Sequence, residues 1–221
     1  GEVSLAHKGV LFLDELPEFD RKVLEALREP LETGEIHISR AARQAVFPAE
    51  FQLVAAMNPC PCGYFPDRNR CHCTPGQIRA YQRGISKPIL ERMDLCVSLP
   101  PITLQDALTK EKGISSAVLR KQVEKARKMQ ERRFFQEEKI RWNGDMNVRA
   151  VNEYCELGKE EAEYMENIFK FKNLSMRTYH KILKLARTIA DLEEEEKINM
   201  NHLAEAVSYR GLEEVLFSFE G

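Results

Sequence analysis

Two adjacent carboxylates, Asp14 and Glu15, directly follow the apolar segment Val10–Leu13. In an open parallel sheet, catalytic groups gather at the carboxyl ends of the strands. At such an edge Asp14 is placed to hold Mg²⁺ on a nucleotide, and Glu15 to orient or deprotonate the attacking water. The alternative is an apolar strand that ends in a polar turn by chance. The sequence contains no G-x-x-x-x-G-K-[ST] loop that would cradle the phosphates of such a nucleotide.

Three more polar residues stand where phosphate chemistry would use them. Asn58 follows the apolar segment Leu53–Met57, and its amide is able to donate to a γ-phosphate and position water, although a turn residue is the alternative. Arg92 ends a helical turn, where it either stabilises charge on a neighbouring subunit's nucleotide or forms a surface salt bridge. Arg177 lies in the first turn of an amphipathic helix, where it either reaches a phosphate or is solvated.

Four of the six cysteines form two C-x-C pairs that are eight residues apart: Cys60, Cys62, Cys71 and Cys73. Four thiolates are able to surround Zn²⁺ tetrahedrally at about 2.3 Å, and His72 is able to replace one sulfur. The alternative is a set of reduced thiols in a loop that is ordered by packing. A catalytic cysteine is disfavoured because the pattern supplies no histidine partner.

The composition restricts where the protein works and what it contacts. The chain has 221 residues, with 33 Lys and Arg against 35 Asp and Glu, which excludes a uniformly basic surface and leaves local basic patches as contacts for DNA. No apolar run approaches the roughly 18 residues of a membrane span, and no signal peptide is visible. We therefore expect a cytoplasmic location with reduced or metal-bound thiols.

The spacing of apolar residues predicts two domains. Residues 1–100 alternate between strands and helices, with strands at Val10–Leu13 and Phe51–Met57 and a helix from Arg21 to about Glu32 that is capped by Asp20. We expect Pro30 to kink the last turn of that helix. This pattern is typical of a parallel α/β sheet.

Residues 101–221 have the periodicity of long amphipathic helices, and we expect a helical bundle. The predicted helices are Val118–Phe135, Lys159–Phe169, Ser175–Glu193 and Asn201–Tyr209. In the third of them, six residues share one apolar face: Tyr179, Ile182, Leu183, Ala186, Ile189 and Ala190.

These motifs occur in an order that resembles the AAA+ ATPases, specifically the magnesium-chelatase-like proteins of the ComM/YifB type. The resemblance covers nearly the whole chain. Its segments are Ser4–His7 with Gly9–Leu16, Met57–Gly63, Leu90–Leu95 and Leu174–Leu192. The Asn-Pro-Cys-Pro-Cys-Gly block together with Arg187–Leu192 is specific to that group. It implies an incomplete parallel-sheet AAA+ core, the C-terminal part of one, followed by an all-α lid domain.

The resemblance also implies roles for individual residues. Asp14 and Glu15 are the Walker B pair, Asn58 is sensor 1, Arg92 is the arginine finger and Arg177 is sensor 2. The implied cofactors are ATP and Mg²⁺, bound at subunit junctions of a hexameric ring. The implied Walker A loop would precede Gly1, so we expect the full-length protein to hydrolyse ATP and this chain alone to be inactive.

Members of this group resemble bacterial DNA motors of the helicase or branch-migration type, linked to natural transformation and recombination. The segment Glu35–Glu50 is predicted to form a β-hairpin with a basic tip, and related ring helicases carry a pore loop at this place. Arg40 and Arg43 are therefore candidates for gripping DNA phosphates. The alternative is a solvated turn.

Two other functions stay open at this stage. A chelatase-type AAA+ subunit that drives metal insertion into a porphyrin would share the same nucleotide motifs. A zinc-stabilised interaction module would have no turnover of its own.

Overall fold

A computed structural model of the chain describes residues 1–40, 43–102, 108 and 113–210. Their packing divides the chain between Met93 and Asp94 into two compact units. The sequence places the boundary a few residues later, at Pro100. None of the helices that the structure describes is long and apolar enough to cross a bilayer.

The first unit is built around two parallel strands, β1 (Val10–Leu13) and β4 (Gln52–Ala55). They pair in register from Val10 opposite Gln52 to Leu13 opposite Ala55. The second strand is two residues shorter at its carboxyl end than the predicted Phe51–Met57. Burial alternates along both strands, and Phe12 of β1 is 58% exposed.

The predicted helix after β1 is wrong as a single element, because the structure has two short helices, α2 (Arg21–Ala26) and α3 (Arg28–Thr33). The chain breaks at Leu27, one turn before Pro30. Proline has no N–H and its ring collides with the carbonyl of the residue four positions earlier, so the break falls near Ala26. The Asp20 cap is confirmed, since its side chain accepts from the Lys22 N–H at 2.7 Å.

The predicted hairpin is confirmed in its backbone. Strand β2 (Glu35–Arg40) pairs antiparallel with β3 (Arg43–Pro48), and Gly34, at φ +71°, ends α3 and leads into it. Glycine suits this left-handed position because it lacks a Cβ.

Three further α-helices are described in the first unit: α1 (Glu2–Leu5), α4 (Pro75–Gln82) and α5 (Lys87–Leu90). The helix α4 begins with a capping box, in which Thr74 accepts from the Gln77 N–H and the Gln77 side chain accepts from the Thr74 N–H. Helices α1, α4 and α5 were not among the predicted elements.

The second unit is helical, as predicted. Its helices are α6 (Ser116–Arg133), α7 (Val148–Tyr154), α8 (Lys159–Phe171), α9 (Met176–Leu192) and α10 (Met200–Ser208). The predicted apolar face of α9 is confirmed, because Ile182, Leu183, Ala186, Ile189 and Ala190 are buried and Tyr179 packs against the same core. The α9 N-cap is Ser175, whose hydroxyl accepts from the Thr178 N–H at 3.1 Å.

A buried ion-pair network joins α6 and α9 within this unit. The Asp191 carboxylate is fully buried and accepts from Arg133 at 2.8 Å, from Asn143 at 2.8 Å and from Arg187 at 3.2 Å. Arg187 also donates to the carbonyls of Glu195 and Glu196. Burying these charges is tolerable only because each guanidinium has carboxylate or carbonyl partners.

Candidate functional site

Asp14 and Glu15 lie at the carboxyl edge of the parallel strands, as predicted. The strand pairing continues past the last register position, since the Ala56 N–H donates to the Leu13 carbonyl at 2.9 Å and the Leu16 N–H donates to the Ala56 carbonyl at 3.0 Å. These bonds hold Asp14 and Glu15 beside the end of β4. Both side chains are exposed, so both are accessible to a ligand.

The backbone at the second carboxylate is unusual. Glu15 adopts φ 51° and ψ 47°, in the left-handed region that residues other than glycine rarely occupy. Its N–H donates to the Asp14 Oδ1 at 2.9 Å. Local strain of this kind clusters at functional sites, because surrounding structure must maintain it. The turn therefore holds the backbone of the two acids in a defined conformation.

Asn58 leaves β4 three residues after Ala55, at the same edge of the sheet, and its side chain is exposed. Its Oδ1 lies 3.8 Å from the position that a Cβ on Gly63 would occupy, and Gly63 has φ +79°. The next residue is held from another element, because the Gln82 Nε2 donates to the Pro59 carbonyl at 3.1 Å. The loop after β4 is thus tied to the end of α4.

The structure adds Tyr81, on α4, to this edge. Burial raises the pKa of its hydroxyl, and the negative charges of Glu18 and Glu15 add to the shift, whereas a hydrogen bond from the Asn58 backbone lowers it. The tyrosine therefore lies close to Asn58 and to the turn that carries Glu15. Sequence reasoning missed it, since α4 was not predicted and a single tyrosine carries no motif.

Arg92 is described within a set of intramolecular contacts. Its Nε donates to the Arg28 carbonyl at 3.1 Å, its Nη1 donates to the Pro88 carbonyl at 2.8 Å, and its Nη2 pairs with Glu32. The side chain is 10% exposed. A guanidinium held in this way would have to exchange the Glu32 carboxylate for a phosphate in order to act on a neighbouring nucleotide.

Arg177, in the second unit, is exposed on the first turn of α9 and shares a face with Lys181 one turn later. The Lys181 ammonium pairs with Asp94 at 2.8 Å, and burial lowers its pKa while Asp94 opposes that shift. The positive charges of Arg210 and Arg177 lower the same pKa. Arg177, Lys181 and Arg210 are thus three cations that lie near one another within this unit. Sequence reasoning identified only the first of these cations.

The four cysteines converge, as the C-x-C pairs predicted. Their sulfur atoms all lie within 4.8 Å of one another. The Sγ separations are 3.4 Å for Cys60–Cys62, 3.6 Å for Cys62–Cys71 and 3.8 Å for Cys60–Cys71. A tetrahedron with metal–sulfur bonds of about 2.3 Å has edges of about 3.8 Å, so this donor set fits a tetrahedral metal ion. His72, the alternative ligand, is not a member of this cluster.

The thiols polarise one another in the same cluster. The backbone N–H of Tyr64 is the main reason that the pKa of Cys62 falls to about 6. A hydrogen bond to Cys62 raises the pKa of Cys73 to about 12, and burial raises the pKa of Cys71. At neutral pH the Cys62 thiolate is therefore stabilised by hydrogen bonds from the neighbouring thiols. A divalent cation that bound all four sulfurs would displace the thiol protons.

The two arginines predicted at the hairpin tip lie opposite each other, because Arg40 pairs with Arg43 in the β2–β3 register. Their side chains lie outside the described part of the chain, as do residues 41 and 42.

Two family models match the chain. The one described as "Magnesium chelatase, subunit ChlI" matches residues 1–107, and the one described as "Magnesium chelatase, subunit ChlI C-terminal" matches residues 113–210. The chain belongs to the magnesium-chelatase-like ComM/YifB family of AAA+ proteins. The predicted fold class is confirmed with it.

Curated relatives of the family match along the chain. The protein YifB of Salmonella typhimurium is 45% identical over 100% of this chain, and the competence protein ComM of Haemophilus influenzae is 46% identical over 98%. An MCM-type protein of Methanocaldococcus jannaschii is 32% identical over 54% of this chain and 16% of its own length. The chain spans 42% of the length of the YifB and ComM relatives.

Proposed function

We propose that the full-length protein is an ATP-dependent AAA+ motor that works on DNA during natural transformation and recombination, as a helicase or branch-migration enzyme. The observation that carries this proposal is the acidic turn at the carboxyl edge of β1, held by backbone bonds beside the strand that leads to Asn58. Family membership supports ATP and Mg²⁺ as its cofactors.

In this proposal each residue of the nucleotide site has a separate task. Asp14 holds Mg²⁺ on ATP, and Glu15 activates the attacking water, which its exposed position permits. Asn58 orients that water and senses the γ-phosphate. Arg92 acts on the neighbouring subunit's nucleotide after releasing Glu32. Arg177 reaches the phosphates from the exposed first turn of α9.

DNA is the proposed partner, gripped by the hairpin. Arg40 pairs with Arg43 in the backbone register, at the last described pair of the hairpin, which places the two residues beside each other at its tip. A competence protein among the relatives supports the link to DNA uptake. We also propose a hexameric ring in the cytoplasm, because ATP sites at subunit junctions require neighbouring subunits for an arginine finger.

Zn²⁺ is the ion that we propose for the four cysteines. Four thiolates in a tetrahedral arrangement are typical of structural zinc sites, which leave no coordination position open for substrate. The residues that would hold it are Cys60, Cys62, Cys71 and Cys73, and the observed sulfur separations support the choice.

A chelatase-type subunit that drives metal insertion is the second candidate, favoured by the descriptions of the two matching family models. A zinc-stabilised interaction module without turnover is the third, favoured by the sulfur cluster. The basic hairpin tip distinguishes the first function from the second, since a chelatase motor needs a protein partner rather than cations for phosphate.

DNA-stimulated ATP hydrolysis by the full-length protein tests the proposal. We expect Mg²⁺-dependent turnover that rises when single- or double-stranded DNA is added, and DNA binding that weakens steeply as salt increases. A rate of ATP hydrolysis that is unchanged by DNA would contradict the DNA motor and favour the chelatase-type subunit. No turnover with full zinc occupancy would favour the interaction module.

A further inference from the structure

The loop between β4 and α4 contains the proposed sensor asparagine near its start and the second cysteine pair near its end. It runs from Ala56 to Thr74 without a helix or strand. Long loops of this kind lose much conformational entropy when they are ordered, and they are uncommon in compact domains unless something fixes them. The position of Asn58 therefore depends on what holds this loop.

The cysteines connect both ends of the loop. Cys60 stands two residues after Asn58 and is fully buried, while Cys71 is 5% exposed and Cys73 directly precedes the Thr74 cap of α4. A metal ion bound by all four sulfurs would join the segment that leaves β4 to the segment that enters α4.

Apolar packing around the sulfur cluster is limited. Its buried hydrophobic members are Cys60, Cys71 and Ile78 of α4, with Phe65 packed against them. Arg68 and Arg70 stack on the rings of Phe65 and Tyr64, with the guanidinium carbon 5.2 Å and 4.0 Å from the ring centres. These contacts lie at the surface and shape the loop, but so small a core gains little from burial. Most of the order must come from the cluster itself.

A hydrogen bond from the end of α4 also holds the start of the loop. Helix α4 carries Ile78 under the sulfurs and ends at Gln82, whose Nε2 donates to the Pro59 carbonyl. Gln82 is 4% exposed, and among the described residues its Oε1 has no hydrogen-bond partner. Burying an amide is costly where its groups lack partners, and the bond to the Pro59 carbonyl satisfies one of its donors.

We propose that the tetrathiolate metal site is a positioning device for Asn58. The bound metal fixes Cys60 and Cys62 on one side of the loop and the start of α4 on the other, and α4 returns Gln82 to the residue after Asn58. Asn58 touches the nucleotide, and the cysteines act through it. This inference rests on the proposed role of Asn58, but the placement of the loop is measurable without any turnover.

The metal site is tested in the full-length protein by replacing the two less buried sulfurs together, Cys62→Ser and Cys73→Ser. Cys96→Ser, a cysteine of the second unit, is the matched control. Metal analysis is expected to give one zinc per chain in the wild type and in the control, and none in the double variant. Cobalt substitution of the wild type is expected to give the thiolate-to-metal charge-transfer bands of a tetrahedral site.

The positioning role is tested on the same variants by amide exchange and by kinetics. We expect exchange in peptides covering residues 57–64 to quicken about tenfold or more on zinc loss, while peptides of α9 keep their rates. We expect kcat for ATP to fall about 10- to 100-fold while ATP affinity and the number of ATP sites per chain stay near wild type. An unfolded protein would instead lose ATP sites.

Gln82→Met gives a second probe that leaves the sulfurs intact. It removes the bond to Pro59 while keeping the length and apolar stem of the side chain. We expect zinc to remain at one per chain while exchange at residues 57–64 quickens and kcat falls by less than in the double cysteine variant.

The outcomes separate the two ideas. No zinc in the wild type overturns the metal site. Zinc loss without faster exchange at residues 57–64 overturns the positioning role. Faster exchange with unchanged kcat overturns the role of Asn58 in hydrolysis, while the loop remains held by the metal. Unfolding of both the double cysteine variant and Gln82→Met, with loss of ATP sites, would replace the positioning role by a purely structural one.

Discussion

Removing the charge of Asp191 should destabilise the second unit far more than removing an exposed charge. Its carboxylate is fully buried and accepts from two guanidiniums and one amide at 2.8–3.2 Å in the network of Arg133, Asn143 and Arg187. Asp191→Asn keeps the volume but leaves the buried guanidinium of Arg187 and the partly buried one of Arg133 without their counter-charge. Breaking a buried pair from one side costs about 3–5 kcal/mol.

The assay is amide exchange across α9 in the full-length protein, because exchange reports opening of one region in a protein of several domains. A cost of about 3–5 kcal/mol lowers protection of the core amides by about two to four orders of magnitude. Glu166→Gln, which breaks the exposed pair with Lys170, is the control and should change protection less than about threefold, since such helical pairs contribute about 0.3–0.5 kcal/mol. Equal protection in both variants would refute the view that the network holds this unit together.

Two further predictions concern the motor. Replacing Arg40 and Arg43 together by Ala should weaken DNA binding and lower the slope of log affinity against log salt by about 1.8 on duplex DNA, two phosphate contacts at about 0.9 each; an unchanged slope in a salt titration would reject the pore-loop assignment. Arg92→Ala should lower kcat for ATP by about 1,000-fold or more in the assembled ring, as loss of an arginine finger does. Mixing this variant with wild-type subunits should poison neighbouring sites, and turnover in simple proportion to the wild-type fraction would show that Arg92 acts only within its own subunit.

Local patterns predicted the elements that have strong periodicity and caps. The face of α9 and its Ser175 cap follow from spacing of three and four and from a hydroxyl before the first turn. The start of α2 at Asp20 follows from the same logic. The sequence predicted a kink in the last turn of the helix, whereas the break lies at Leu27. Proline acts one turn ahead of its own position, on the carbonyl to which an N–H at that position would donate.

The sequence predicted those parts of the candidate site that are formed by neighbouring residues. It did not predict the parts that depend on contacts between distant segments. The acidic pair and the C-x-C spacing are local, and the structure brings both sets together. The left-handed backbone of Glu15 and the approach of Tyr81 depend on packing between distant segments. The pairing of Lys181 with Asp94 spans most of the second unit, so no window of sequence contains it.

The intramolecular contacts of Arg92 illustrate the same limit. A motif identifies an arginine at the end of a helical turn. The carbonyl of Arg28 and the carboxylate of Glu32, which accept its hydrogen bonds, lie some sixty residues earlier in the chain. Whether this side chain faces a neighbour is therefore decided by assembly and by the strength of the Glu32 pair, and neither is encoded near position 92.

Hydrolysis of ATP by a Glu15→Gln variant of the full-length protein tests the central claim most directly. The substitution keeps the shape of the acidic turn and the Asp14 ligand for Mg²⁺ but removes the group that accepts a proton from water. We expect single-turnover hydrolysis to slow by about 100- to 10,000-fold while ATP stays bound, and Glu2→Gln, an exposed acid of α1, to leave the rate unchanged. Hydrolysis at the wild-type rate in the Glu15→Gln protein would contradict the account.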